Sequence, residues 1–231
     1  SSDLGLECLQ RSNDLLIEKC GISIDWDARS LLAFGDQHIS EFYSDYDLMV
    51  IDHPHVPDAV HAKAVVAFEE LISAADLELL EKTSVGQSHH SYLYQGKHWA
   101  LAIDTAAQVS AFRPDLADRA PIFWDEVIAE AKANRLLWAH KPVDAYSTFA
   151  TLMAQKGSPL EASAKFVDKE VATEVLEFMV ELASLVPDFC SSKNPIDIAE
   201  ILSDGDEYAF GICMYGYSNY SRIGFRRKLL A

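Results

Sequence analysis

YDLMVIDHPHV, residues 46–56, strings together four apolar side chains, Leu48, Met49, Val50 and Ile51, and turns polar at Asp52. An unbroken apolar run of this kind predicts a strand covered on both faces, as in a parallel sheet. Its polar end sets Asp52, His53 and His55 around a proline. Open α/β sheets take their ligands outside the carboxyl ends of the strands. Ligand contact, acid–base chemistry, a metal site and a purely structural role all stay open for this end. Strand alternation sends His53 and His55 one way and Asp52 the other. A metal also needs a third ligand, which no nearby spacing supplies.

Upstream, Leu6, Leu9, Leu15 and Leu16 recur near helical spacing over 6–19, and Gly21 comes next as a stop. ISIDWDA (22–28) alternates like a half-buried strand, and a short helix is expected over 36–42. Downstream comes a long helical region over 59–82, with a break near Ser73. SYLYQGKHWALAI (91–103) predicts a hairpin turning at Gln95-Gly96-Lys97, and TAAQVSAFRPDL a further strand up to Pro114. WDEVIAEAKAN is an amphipathic helix with Asp125 and Glu126 well placed in its first turn. RLLWAH is a short apolar run, Pro142 opens a helix over 143–155, and SPLEASAKF is a loop. Asp168 is the expected N-cap of a helix over 168–186 with Pro187 just past its end, and Asn194-Pro195 starts a shorter one to Leu202. The chain then runs DEYAFGICMYGYSNYSR (206–222), a strand followed by an aromatic, glycine-bearing segment. Helices alternating with strands give an α/β fold class.

With 36 acidic against 19 basic residues and a net charge of −17, the surface repels phosphate backbones. The basic cluster Arg226, Arg227 and Lys228 is too small for a nucleic-acid surface. No stretch approaches the ~20 apolar residues that cross a bilayer, so a soluble protein without membrane insertion is expected. Cys8, Cys20, Cys190 and Cys213 form no C-x-x-C pair or metal spacing, and Cys213 reads as a small core residue. No basic and apolar leader opens the chain, so a secretion signal was removed or never present. Nucleotide-binding glycine loops, H-E-x-x-H and G-x-S-x-G are absent from the sequence. No metal or other cofactor is expected.

Two further segments hold candidate site residues. In HWALAID, Trp99 is either core or a flat ring for a sugar face, and Asp104 either accepts ligand hydroxyls or caps the next segment. In MYGYSNYSR, Tyr215, Tyr217 and Tyr220 suit a recognition surface or a tyrosine-rich core edge. His89-His90 reads as a solvated loop, since adjacent residues rarely face one ion.

In order, these pieces resemble the extracellular solute-binding proteins of ABC importers, the family 1 group that includes sugar binders. YDLMVIDHPHV is similar to that family's second sheet strand. GKHWALAIDTAAQVSAFRPDL is similar to its hairpin and crossing strand, and FWDEVIAEAKA to the next helix start. FVDKEVATEVLEFMVELASLVP resembles the helix before the return strand, and DEYAFGICMYGYSNYSR that strand and its cleft loop. The resemblance implies a type II periplasmic-binding fold of two α/β lobes, apparently shortened at the C-terminus. Lobe one would be 1–104, a hinge-crossing strand 105–111, lobe two 112–207, and the return strand and cleft loop 208–231. It implies ligand contacts at Asp52, His53, Trp99, Asp104, Tyr215, Tyr217 and Tyr220. It also implies a small polar, sugar-like ligand, ABC permease partners and no catalysis. The implied location is periplasmic or extracytoplasmic, with the cytoplasm as the alternative that the missing leader leaves. A hydrolase or lyase using Asp52, His53 and His55 is the competing reading, and a homodimer is expected if the chain is truncated.

Overall fold

A computed structural model of the chain describes residues 2–28, 43–160, 166–226 and 229. The chain divides into two compact units, Ser1–Thr105 and Ala106–Ala231.

Unit one opens with α1 (Ser2–Cys20). Gly21 stops it at φ +68, its N–H donating to the Ile17 carbonyl at 3.0 Å. The strand expected over 22–28 does not form. Ile24 N–H donates instead to Asn13 Oδ1 of α1 at 2.8 Å, and the Tyr46 hydroxyl donates to Asp27. The helix expected over 36–42 lies outside the described residues. The strand expected over 48–51 is also absent, and Leu48 and Val50 are 69% and 51% exposed. An apolar run becomes a strand only when a neighbour completes its backbone ladder, and among the described residues none pairs with it.

Asp52 leads into a 3₁₀ turn, His53–His55, and α2 (Val56–His61) comes directly after it with Pro57 in its first turn. The helix expected over 59–82 breaks twice. Lys63 takes φ +55 directly after α2, and α3 (Ala74–Thr83) restarts under a Ser73 cap, whose hydroxyl accepts from Asp76 N–H. A tight hairpin closes the unit: β1 (Leu93–Tyr94) pairs antiparallel with β2 (Lys97–His98). Its loop is Gln95 and Gly96 at φ +51 and +76, the paired positive values of a two-residue hairpin turn.

Unit two carries the larger core. Its sheet has the order β3 (Gln108–Phe112), β5 (Phe210–Tyr215), β4 (Leu136–Trp138). β5 lies central, antiparallel to β3 and parallel to β4. Leu136, Leu137 and Trp138 are all buried, which explains why RLLWAH is apolar without alternation. The β4-to-β5 connection runs through α5 (Pro142–Gln155), α6 (Lys169–Leu185) and α7 (Pro195–Asp204). α4 (Trp124–Lys132) joins β3 to β4. On α6, Ala172, Val175, Met179 and Leu182 form one buried stripe at three- and four-residue spacing. Trp124 of α4 meets Phe178 of α6 edge to face at 5.2 Å. The helix starts match their chemistry. Asp168 accepts from Glu170 and Val171 N–H, and Asn194 and Asp197 cap each other's backbone at α7. Glu126 reaches back to Ile122 and Phe123 N–H at 2.7 and 3.2 Å. Its Arg119 partner first, then these donors, hold its carboxyl down at about 2.

Candidate functional site

In unit one the candidate residues gather around Tyr92, a residue that carries no signal of its own in the sequence. Tyr92 ends the 3₁₀ turn His90–Tyr92 and stands opposite Trp99 at the open end of the hairpin. Trp99 N–H donates to the Tyr92 carbonyl at 3.2 Å, and its indole N–H to the Tyr94 carbonyl at 2.9 Å. The half-buried Trp99 ring is thus fixed in orientation. The Tyr92 hydroxyl donates to the Ile51 carbonyl at 3.3 Å, which ties the hairpin to the stretch ending in Asp52. Burial raises the Tyr92 phenol above its ordinary range, and the charges of Asp52 and Asp104 raise it further. The charges of two exposed carboxylates therefore reach one tyrosine beside an oriented indole. This arrangement can accept hydrogen bonds from hydroxyls and offer an aromatic face to a ring.

His53 is exposed at the start of its turn. His55 N–H closes the turn on the Asp52 carbonyl at 3.0 Å. The three residues thus share one turn instead of the end of a strand, with Asp52 and His53 exposed and His55 half-buried. Among the described residues, no three His, Cys, Asp or Glu side chains gather to hold a metal ion.

The His89-His90 pair is not the solvated loop expected of it. His90 is exposed and faces Glu81 at 3.2 Å, but His89 is only 4% exposed and stacks on His98 with ring centroids 4.3 Å apart. His98 in turn holds Glu69 through both its backbone N–H and its ring, each at 2.9–3.0 Å. Burial accounts for the difference: the turn at His90–Tyr92 folds His89 inward against β2.

In unit two, one end of the sheet collects the start of β3, the carboxyl ends of parallel strands β4 and β5, and the start of α5. The chain enters the unit at that end, and ligands favour such strand ends. Tyr215 and Tyr217 emerge there half-buried, their rings edge to face at 6.5 Å. Tyr217 N–H donates to the Tyr215 carbonyl at 2.8 Å across Gly216. At the end of β4, the His140 ring stacks on Trp138 at 4.7 Å. Asp144, in the first turn of α5, is buried with one carboxylate oxygen lacking a hydrogen-bond partner. Burial pushes its carboxyl up, Lys141 opposes this, and Asp197 adds to it.

Tyr220 is placed differently from its two neighbours. It is buried, its hydroxyl donates to Glu200 at 2.6 Å, and its ring packs on Phe225. Burial first and the Glu200 carboxylate second raise its phenol far above the ordinary range. Cys213, expected in the core, is buried there, and burial pushes its thiol up to about 11. None of the helices is long and apolar enough to cross a membrane, among the described residues.

No family model matches the chain, and no curated protein is similar to it in sequence. Solved structures are similar in fold. Maltose-bound MalE3 of T. maritima aligns over 97% of this chain and 63% of its own, at TM-score 0.69 and 20% identity. An ABC-transporter solute-binding protein of Agrobacterium radiobacter K84, in complex with ribitol, aligns over 97% and 62%, at 0.68 and 17%. The maltotriose-binding protein of Thermus thermophilus, bound with maltotriose, aligns over 93% and 60%, at 0.65 and 13%. The chain has the α/β periplasmic-binding-like fold of carbohydrate-type solute-binding proteins, and it spans less than two thirds of the length of these structures.

Proposed function

We propose that this chain is a solute-binding component of an ABC-type importer, taking a small polar ligand of sugar or polyol class and delivering it to permease subunits outside the cytoplasm. In unit one, Asp52 and Asp104 would accept its hydroxyl protons and Trp99 would carry a ring face; in unit two, Tyr215 and Tyr217 would offer their rings. His53 would lie at the margin, and Tyr220 would hold the tyrosine segment from beneath. Binding would be a population shift toward the liganded state, with no bond made or broken.

The observation that carries this reading is the setting of Tyr92: Trp99 bonds its carbonyl, its hydroxyl bonds the carbonyl just before Asp52, and the charges of Asp52 and Asp104 both raise its phenol. The fold supports it, since the similar structures hold maltose, ribitol and maltotriose. The acid–base alternative through Asp52, His53 and His55 has less support, because Asp52 and His53 lie exposed on a turn. Calorimetric titration with maltose, maltotriose and ribitol tests the proposal. Binding of at least one, weakened at least tenfold in Asp52→Ala and Asp104→Ala by the loss of charged hydrogen bonds, is the expected outcome. Binding that neither variant weakens would move the site elsewhere.

A further inference from the structure

The ladder between β3 and β5 is broken at one point, directly before the candidate tyrosines. Val109 faces Met214 and Ala111 faces Gly211, so Ser110 is opposed by two residues, Ile212 and Cys213. Cys213 takes φ +50, a left-handed value that a residue with a side chain adopts only when its surroundings impose it. Such a bulge turns its strand and re-aims the residues beyond it. Here those residues are Tyr215 and Tyr217.

A side chain from the neighbouring strand meets the bulge directly. Gln108 Nε2 donates to the Cys213 carbonyl at 3.1 Å, at the point where the regular ladder is interrupted. Its Oε1 accepts from Thr151 Oγ1 of α5 at 2.7 Å. Nε2 also reaches Thr148 Oγ1 at 3.4 Å, and that fully buried hydroxyl accepts from the Trp138 indole at 3.2 Å. Gln108 is in addition the register partner of Tyr215. One carboxamide therefore joins β3, the bulge of β5 and the facing side of α5.

We propose that Gln108 is a positioning residue for the Tyr215–Tyr217 surface: its carboxamide holds β5 in the bulged path that presents the two rings. The effect on ligand binding rests on the solute-binding reading; the effect on β5 does not. The experiment uses the full chain and three variants. Gln108→Leu removes every bond, Gln108→Glu removes the donor to Cys213, and Thr151→Val loosens only the grip on Oε1. Backbone hydrogen exchange is read at Tyr217, whose amide closes on Tyr215, and at Val175 and Leu182 of α6. Exchange at Tyr217 is expected to quicken about tenfold in both Gln108 variants, the worth of one lost hydrogen bond, and less in Thr151→Val. The α6 amides should hold their rates, and maltose affinity measured alongside should fall by a similar factor. Unchanged Tyr217 exchange in all three variants overturns the proposal, even if maltose affinity falls. Equal acceleration at α6 overturns it too, since Gln108 would then be a general stabiliser. A wild-type chain that binds no maltose counts against that sugar as ligand, while the exchange rates still decide the role of Gln108.

Discussion

His89 sits against His98 in unit one, and its protonation is opposed by its surroundings. Burial lowers its pKa most, the His98 charge adds to this, Glu81 opposes it and His90 contributes further lowering. A histidine whose folded value lies below its unfolded value of about 6.5 stabilises the fold above that unfolded value. The contribution is lost as pH falls through the folded value. Thermal melts of unit one between pH 7.5 and 5 should therefore drop toward the acid side, and His89→Phe, which keeps a ring on His98, should flatten that slope. An unchanged slope would assign it to other groups. Arg113 gives a stronger residue-scale expectation. Its wholly buried guanidinium donates to the Leu202 and Gly205 carbonyls at 2.8 and 2.5 Å and pairs with Asp115 and Asp206. Arg113→Met would strand those carbonyls and should cost about 3 kcal/mol in denaturant unfolding. Neither residue announced itself in the sequence. An arginine before proline and a histidine pair in a polar stretch look solvent-facing until distant elements fold over them.

At the scale of elements, β5 and α7 meet at Gly211 because no side chain fits there. A Cβ at that position would lie 2.3 Å from Met214 Sδ and 2.8 Å from Leu202 Cδ1. Gly211→Ala should cost roughly 1–3 kcal/mol by overpacking, read as a shift in the unfolding midpoint with the slope unchanged. A neutral result would mean that Met214 swings aside without loss. The helices of unit two were legible because each carried its own signals: Asp168 and Asn194 as caps, Pro142 at a start, the Val175–Met179–Leu182 stripe inside. β3, β5 and the hairpin were legible for similar local reasons, whereas β4 read only as a short apolar run. The run at 48–51 misled because strand formation depends on a partner, and the partner is not written in the run. The candidate site divides in the same way. Asp52, Trp99, Asp104, Tyr215 and Tyr217 were readable as polar or aromatic groups at element ends. Tyr92, which gathers three of them, shows its role only through the hairpin register that sets it opposite Trp99.

For the whole molecule, the two units differ sharply in buried apolar surface. Among the described residues, Val56, Ala59 and Ala67 are the buried apolar side chains of unit one, whereas unit two buries a continuous cluster from Ala111 to Leu229. Local opening tracks buried contacts, so amides of α2 and α3 should exchange at lower denaturant than those of α6 and β5. Simultaneous exchange would mean that the units fold as one. The central claim, that the chain binds a small polar solute through its carboxylate and tyrosine groups, is met most directly by one titration. Wild-type chain and Tyr217→Ala are titrated calorimetrically with maltose, maltotriose and ribitol. The prediction is saturable binding of at least one compound, weakened about tenfold or more when the Tyr217 ring is removed. Saturable binding that Tyr217→Ala leaves unchanged, or no heat with any of the three compounds, would contradict it.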